Sequence, residues 1–287
     1  MRARTHSGTQ RESRIRVEVV TPEDLHRPVG IFDAGIGSYD LVRRIRAAYP
    51  QQDVLYLADR ASFPYGAQSE SSLLESVSRA ARALEHLGAS SIILASNAPS
   101  VTVLEPLRER LSGPILGVVP PVRAALAALP DDRTLVVAGA SVLVHSHSLT
   151  RLISAEAGDA ADRVHAVPAD ALIALVEAGA FLDRAQVARP IADFLAELRE
   201  QYPRVGGLSL SSTHLPWLAP AIADQAPELL LFDPADQVVE AFAPLATPGE
   251  GRLVSLATES PSHPLDEFQS MLRRMHLVDI MPTLIEL

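Results

Sequence analysis

The chain has 287 residues, 47% of them hydrophobic, with 25 Lys+Arg against 35 Asp+Glu and a formal net charge of -10. That surplus of acid excludes nucleic acid as the main partner, because neutralising phosphates needs a basic surface. Cysteine is absent, which excludes disulfides, thiolate catalysis and thiolate metal sites together, and no apolar run reaches the about 18 residues expected of a membrane span.

Residues 1–27 are polar, with five arginines by Arg16, and lack the apolar core of a signal peptide. They read as a loose arm with a short edge strand at Arg14–Val20, and the protein as cytoplasmic. VGIFDAGIG, Val29 to Gly37, reads as a buried strand running into a glycine loop. A helix follows and stops at Pro50. A second strand covers Asp53 to Asp59, and the loop RASFPYGAQS leads into an amphipathic helix, Ser71 to Leu87, ended by Gly88. SIILAS, ending at Ser96, is a third strand, and helix resumes through VTVLEPLRERL. PILGVV and TLVVAGA are further strands around the helix PVRAALAAL. Helices are expected at 170–179 and 183–201. GLSLSS and LLLFDP are late strands before a closing helix and a short extended end.

Strands alternating with helices over short links predict α/β architecture with mainly parallel sheets. Ligands of such sheets sit at the carboxyl ends of strands. Those ends carry Asp33 with Gly35 and Gly37, then Asp59 with Pro64-Tyr65-Gly66, then Ser96-Asn97, Gly139-Ala140-Ser141 and Ser212-Thr213-His214. Singly, each has a capping or turn explanation. Together, at successive strand ends, they predict a site. Asn97 is the sole asparagine of the chain, and lysine is absent, so all 25 basic residues are arginine.

Several familiar motifs fail. Gly35-Ile36-Gly37 begins a dinucleotide fingerprint, but Asp40 holds its third glycine position. Without lysine a Walker-type phosphate loop is impossible. His145 and His147 are two apart, point apart on a helix, and have no acidic cluster nearby, so no metal is expected. Ser212 and His214, with Asp33 or Asp59, could form a Ser-His-Asp hydrolase, but LSLSSTH lacks the G-x-S-x-G elbow.

From Val29 to the C-terminus the strand ends, in order, resemble the aspartate/glutamate racemase family, its glutamate racemases most. GIFDAGIGS is similar to the family's F-D-S-G-x-G opening, and DVLYLADRASFPYGAQS to its Y-L-x-D-x-x-x-x-P-Y-G segment. ILASNAPS lies where the family has A-C-N-T-A-S, LSSTHLPWL where it has G-C-T-H-Y-P-L-L, and LIALVEAG resembles F-x-P-L-V-E-x-G. The resemblance implies two pseudo-symmetric α/β domains with a site in the cleft between them. The expected bounds are 28–118 plus 218–287 for the first and 119–217 for the second, with hinges near Pro120-Pro121 and Pro216. It also implies a homodimer and cofactor-independent racemisation, in which one base removes the Cα proton and an acid on the opposite face returns one.

In the family both groups are thiols. Here Ser96 and Ser212 occupy both positions. Ala34 stands where the family has serine, Ala98 where it has threonine after the asparagine, and Leu143 where a threonine helps to hold the substrate carboxylate. Asp33, Pro64, Tyr65, Gly66, Asn97, Thr213 and His214 remain; in the family these contact the amine and carboxylate or tune the second thiol. The expectation is a racemase-like pseudoenzyme binding a small amino acid or carboxylic acid, without metal or cofactor. Two alternatives stand beside it: altered isomerase, lyase or hydrolase chemistry using His214, and a true racemase carrying Cys-to-Ser changes.

Overall fold

The computed structural model describes residues 20–287. The edge strand expected at Arg14–Val20 therefore lies almost wholly outside the described residues.

Among the described residues ten strands form two sheets, and every strand pair within them is parallel. The six-stranded sheet contains β1 (Val29–Asp33), β2 (Val54–Ala58), β3 (Ser91–Leu94), β4 (Ile115–Gly117), β9 (Leu253–Ala257) and β10 (Thr283–Leu284). Its order is β10-β9-β2-β1-β3-β4. The four-stranded sheet contains β5 (Thr134–Gly139), β6 (Val164–Pro168), β7 (Val205–Ser211) and β8 (Leu230–Phe232), in the order β6-β5-β7-β8. The second sheet thus repeats the arrangement β2-β1-β3-β4 of the first, and β3 and β7 are equivalent strands.

Every residue of β1, β2, β3, β5 and β7 is buried. That burial on both faces explains why these strands read as continuous apolar runs rather than alternating ones. Strands β6 and β9 escape the sequence reading. β6 is mostly half-buried and ends on Pro168, and β9 enters the sheet beside β2 with a serine at its centre. β8 comes from the 218–287 stretch assigned on sequence to the first domain, yet it pairs with β7 in the second sheet. The short Ala219–Gln225 helix after β7 returns the chain to the neighbouring position of the same sheet.

The helix expected through VTVLEPLRERL is broken. One helix covers Asn97–Thr102 and another Leu104–Arg108, with Val103 non-helical between them (φ -127°, ψ 6°). Among the described residues no helix is long and apolar enough to cross a membrane.

Candidate active site

In each sheet the chain runs to opposite sides of one strand, β1 in the first and β5 in the second. Ligand crevices of parallel sheets form at such points, outside the carboxyl ends of the strands. The residues following β1 and β3 there meet those following β5 and β7 around a cavity of about 720 Å³. That falls within the about 300–1,000 Å³ usual for small-molecule sites.

The residues expected from sequence at the base and substrate positions line it together, while Gly37, Asp59 and Gly139 do not. Asp33, Ala34, Ser96, Asn97 and Ala98 line it from the first sheet. Ser212, Thr213 and His214 line it from the second, and Pro64, Tyr65 and Gly66 from the loop after β2. Asp59 lies beneath, buried, accepting from the Tyr65 hydroxyl at 3.0 Å and from the Thr258 hydroxyl at 3.0 Å. His145 and His147 do not line the cavity; among the described residues no group of three or more His, Asp or Glu gathers to hold a metal.

Asp33 ends β1 and is 3% exposed. Its Oδ1 accepts from the Ala34 N–H at 2.7 Å and its Oδ2 from the Thr213 hydroxyl at 3.2 Å. Burial raises its pKa to about 6, although His214 and hydrogen bonds from Ala34, Ser96 and Thr213 pull the other way. Ser96 is the N-cap residue of the Asn97–Thr102 helix, with extended backbone, but its side chain makes no capping bond. The capping explanation for this hydroxyl fails; it stands beside Asp33 at the cavity wall. Asn97 Nδ2 donates to the Val118 carbonyl at 3.2 Å, while its buried Oδ1 has no partner.

On the opposite wall a chain of contacts runs from Ser212. Its Oγ lies 3.4 Å from Nδ1 of His214, whose Nε2 lies 2.8 Å from Oε2 of Glu177. Glu177 ends the Asp170–Glu177 helix, which is stopped by Gly179 in the left-handed region (φ 76°). Burial would raise the Glu177 pKa, but the His214 hydrogen bond and charge, the Arg60 charge and the Ile36 N–H outweigh it and hold the carboxyl at about 2. The ionised carboxylate can only accept, so Nε2 of His214 carries a proton and donates to it, and the other ring nitrogen, Nδ1, faces Ser212. Arg60 closes the chain: one of its terminal nitrogens donates to Glu177 Oε1 and to the Ala34 carbonyl, both at 2.8 Å. Its guanidinium lies 4.5 Å from the Phe63 ring centre and 4.7 Å from that of Phe268.

Two glycines permit this assembly. A Cβ at Gly35 would lie 2.9 Å from Cε1 of His214. One at Gly37 would lie 2.6 Å from the Thr213 carbonyl carbon and 2.7 Å from the His214 nitrogen. Glu177 and Arg60 are the functional residues that the sequence reading missed. LIALVEAG carried the signal for Glu177, an acid closing an apolar helical segment; nothing local marked Arg60.

The apolar part of the wall is equally defined. Leu143 is fully buried, packs with Val122, Ala125, Leu135 and Val137, and borders the cavity without a side-chain donor. Val142 faces the loop after β2; a Cβ at Gly66 would lie 3.1 Å from its Cγ1.

The family model for Asp/Glu/Hydantoin racemase matches residues 38–242. A glutamate racemase from Deinococcus radiodurans is 36% identical over 195 residues, covering 68% of this chain and 66% of that protein. One from Gloeobacter violaceus is 32% identical, covering 80% and 84%. The crystal structure of the Thermus thermophilus glutamate racemase, in complex with β-chloro-D-alanine, superimposes with a TM-score of 0.71 at 27% identity, covering 93% of this chain and 98% of that one.

Proposed function

The chain belongs to the Asp/Glu/hydantoin racemase family, and from that premise we propose that it binds a small amino acid or carboxylate between its two sheets and no longer racemises it. A homodimer acting in the cytoplasm without a cofactor is part of this reading. The observation that carries it is a hydroxyl, not a thiol, at the end of both equivalent strands, Ser96 after β3 and Ser212 after β7. A thiol of pKa about 8.5 reaches its thiolate at pH 7 for about 2 kcal/mol. A serine hydroxyl is a far weaker acid, so its alkoxide at pH 7 costs several times as much on each face.

The polar groups that remain suit binding. Asp33 faces an ammonium, and Asn97 and Thr213 hold the head group. The test is hydrogen–deuterium exchange at Cα of glutamate and aspartate in D₂O, followed by NMR. No exchange above the uncatalysed background is expected; rapid exchange would overturn the reading.

A second reading rests on the Ser212–His214–Glu177 chain. Its like is not found beside Ser96. It favours proton transfer on one face only, with His214 as the base and Ser212 or a water as its partner. Exchange of one enantiomer without net racemisation would support it.

A further inference from the structure

A serine hydroxyl is a poor base toward Cα, but it is an effective nucleophile when an imidazole takes its proton and a carboxylate holds the far side of that imidazole. Those three parts meet on one wall of the cavity. Ser212 Oγ lies 3.4 Å from His214 Nδ1, and His214 Nε2 lies 2.8 Å from Glu177 Oε2. The acid is therefore Glu177, not the Asp33 or Asp59 that the sequence offered. With Nε2 holding its proton against that carboxylate, a neutral His214 has its basic nitrogen, Nδ1, on the serine side. The 3.4 Å contact is looser than the about 2.6–3.2 Å of an engaged pair, as is usual before a substrate is bound.

The surroundings suit the same step. Ser212 follows the end of β7, is 9% exposed and borders the cavity with Thr213 and His214. Among the described residues the N–H of Thr213, the residue after the serine, has no hydrogen-bond partner. In α/β hydrolases the N–H at that place is one of the donors to the oxyanion. His214 is the one histidine lining the cavity among the described residues, so Ser96 has no imidazole to take its proton. We infer that Ser212 is a nucleophile toward a small carboxylic ester held in the cavity. This inference deepens the one-face reading above and rests on its Ser212–His214–Glu177 chain. In the step, Oγ bonds to the acyl carbon as its proton passes to His214 Nδ1. The bond from that carbon to the ester oxygen breaks, and the leaving alcohol takes the proton from Nδ1. Water then adds to the acyl carbon and gives a proton to Nδ1, and Oγ departs with that proton. The products are a carboxylic acid and an alcohol, and water is the sole co-reactant.

The experiment treats the full chain with a fluorophosphonate, in which phosphorus accepts Oγ as fluoride leaves, and locates the adduct by intact mass and peptide mapping. A single adduct on Ser212 is expected. It should be absent from Ser212→Ala and form about 100-fold or more slowly in His214→Gln, the scale of a lost general base. The labelling rate should rise with pH and then level off once the base has lost its proton. A rate that keeps rising into alkali would mean that hydroxide, not His214, activates the serine, and would overturn the inference even if His214→Gln failed to fold. Hydrolysis of p-nitrophenyl acetate should follow the same pattern; a wild-type rate no higher than that of Ser212→Ala counts against the acyl chemistry. No adduct, or an adduct on Ser96 instead, sinks the inference and leaves the one-face reading to Cα exchange, which does not need a nucleophilic serine.

Discussion

His214 Nε2 lies 2.8 Å from Glu177 Oε2, although the two residues are 37 positions apart and belong to different elements. The contact fixes which imidazole nitrogen faces Ser212. It also ties the residues after β7 to Arg60, on the loop after β2, through the second oxygen of the same carboxylate. One carboxylate therefore joins the loops of both sheets.

Glu177→Gln should be strongly destabilising. It removes the negative partner of Arg60, whose Nε is already buried without an acceptor. Breaking one side of a buried ion pair costs about 3–5 kcal/mol. The Glu177 carboxyl is held at about 2, so its stabilising contribution is present above its ordinary range of about 4.3 and is lost as pH falls toward 2. Urea denaturation at pH 7 and pH 3 should show a large difference between wild type and variant at pH 7 and a smaller one at pH 3.

Asp33→Asn should do the opposite to stability. Burial raises Asp33 to about 6, so the folded protein binds more protons than the unfolded chain between about pH 4 and 6. Stability from this group is full below about 4 and lost as pH rises to 6. The amide oxygen can still accept from the Ala34 N–H, and its nitrogen can donate to the Thr213 hydroxyl, without the buried charge. The variant should gain on the order of 2 kcal/mol at pH 7 relative to pH 4, while losing affinity for any ligand carrying an ammonium. Denaturation across pH 4–7 together with ligand titration would check both.

Gly37→Ala should cost about 1–3 kcal/mol, the range for overpacking a close contact. The new methyl would press on the backbone of Thr213 and His214, which cannot rotate away. The Asp33–Thr213 hydrogen bond should weaken with it. A fall in the denaturation midpoint with an unchanged m-value is the expected signature.

Ser96→Cys with Ser212→Cys should gain reactive thiols without efficient racemisation. Misplacing a catalytic group by about 1 Å can cost about 100-fold, and Ala34, Ala98 and Leu143 all border the cavity beside the altered positions. Leu143 belongs to the buried cluster of the second sheet. Turnover at about 1–10³ s⁻¹ from the double variant alone would mean that the pocket is otherwise intact. Turnover appearing only after Ala34→Ser and Leu143→Thr are added would show that the pocket had drifted with its bases.

Much of this molecule was legible because parallel strands buried on both faces leave long apolar runs, and because such sheets keep their sites at strand ends. Asp33, Ser96 and Ser212 were found by that rule. β6 and β9 were not, since a half-buried strand ending in proline and a short strand with a central serine lack the apolar run. The Arg60–Glu177–His214 chain was also hidden. Its members lie 117 and 37 positions apart, and nothing in a single sequence records which distant charges meet. The break at Val103 falls within a pattern that is helical on both sides.

Trp217 is the one tryptophan of the chain. Its indole N–H donates to the Gly37 carbonyl at 3.0 Å, its ring is tilted against Phe181 at 5.2 Å, and Arg43 lies 6.0 Å away. The indole thus straddles the seam between the glycine loop after β1 and the turn after β7, three residues beyond His214. Indole emission responds to polarity and to nearby charge, so the chain holds an intrinsic optical probe at that seam. Fluorescence of the unlabelled protein can follow any separation of the two loops in real time, with no second indole to obscure the signal.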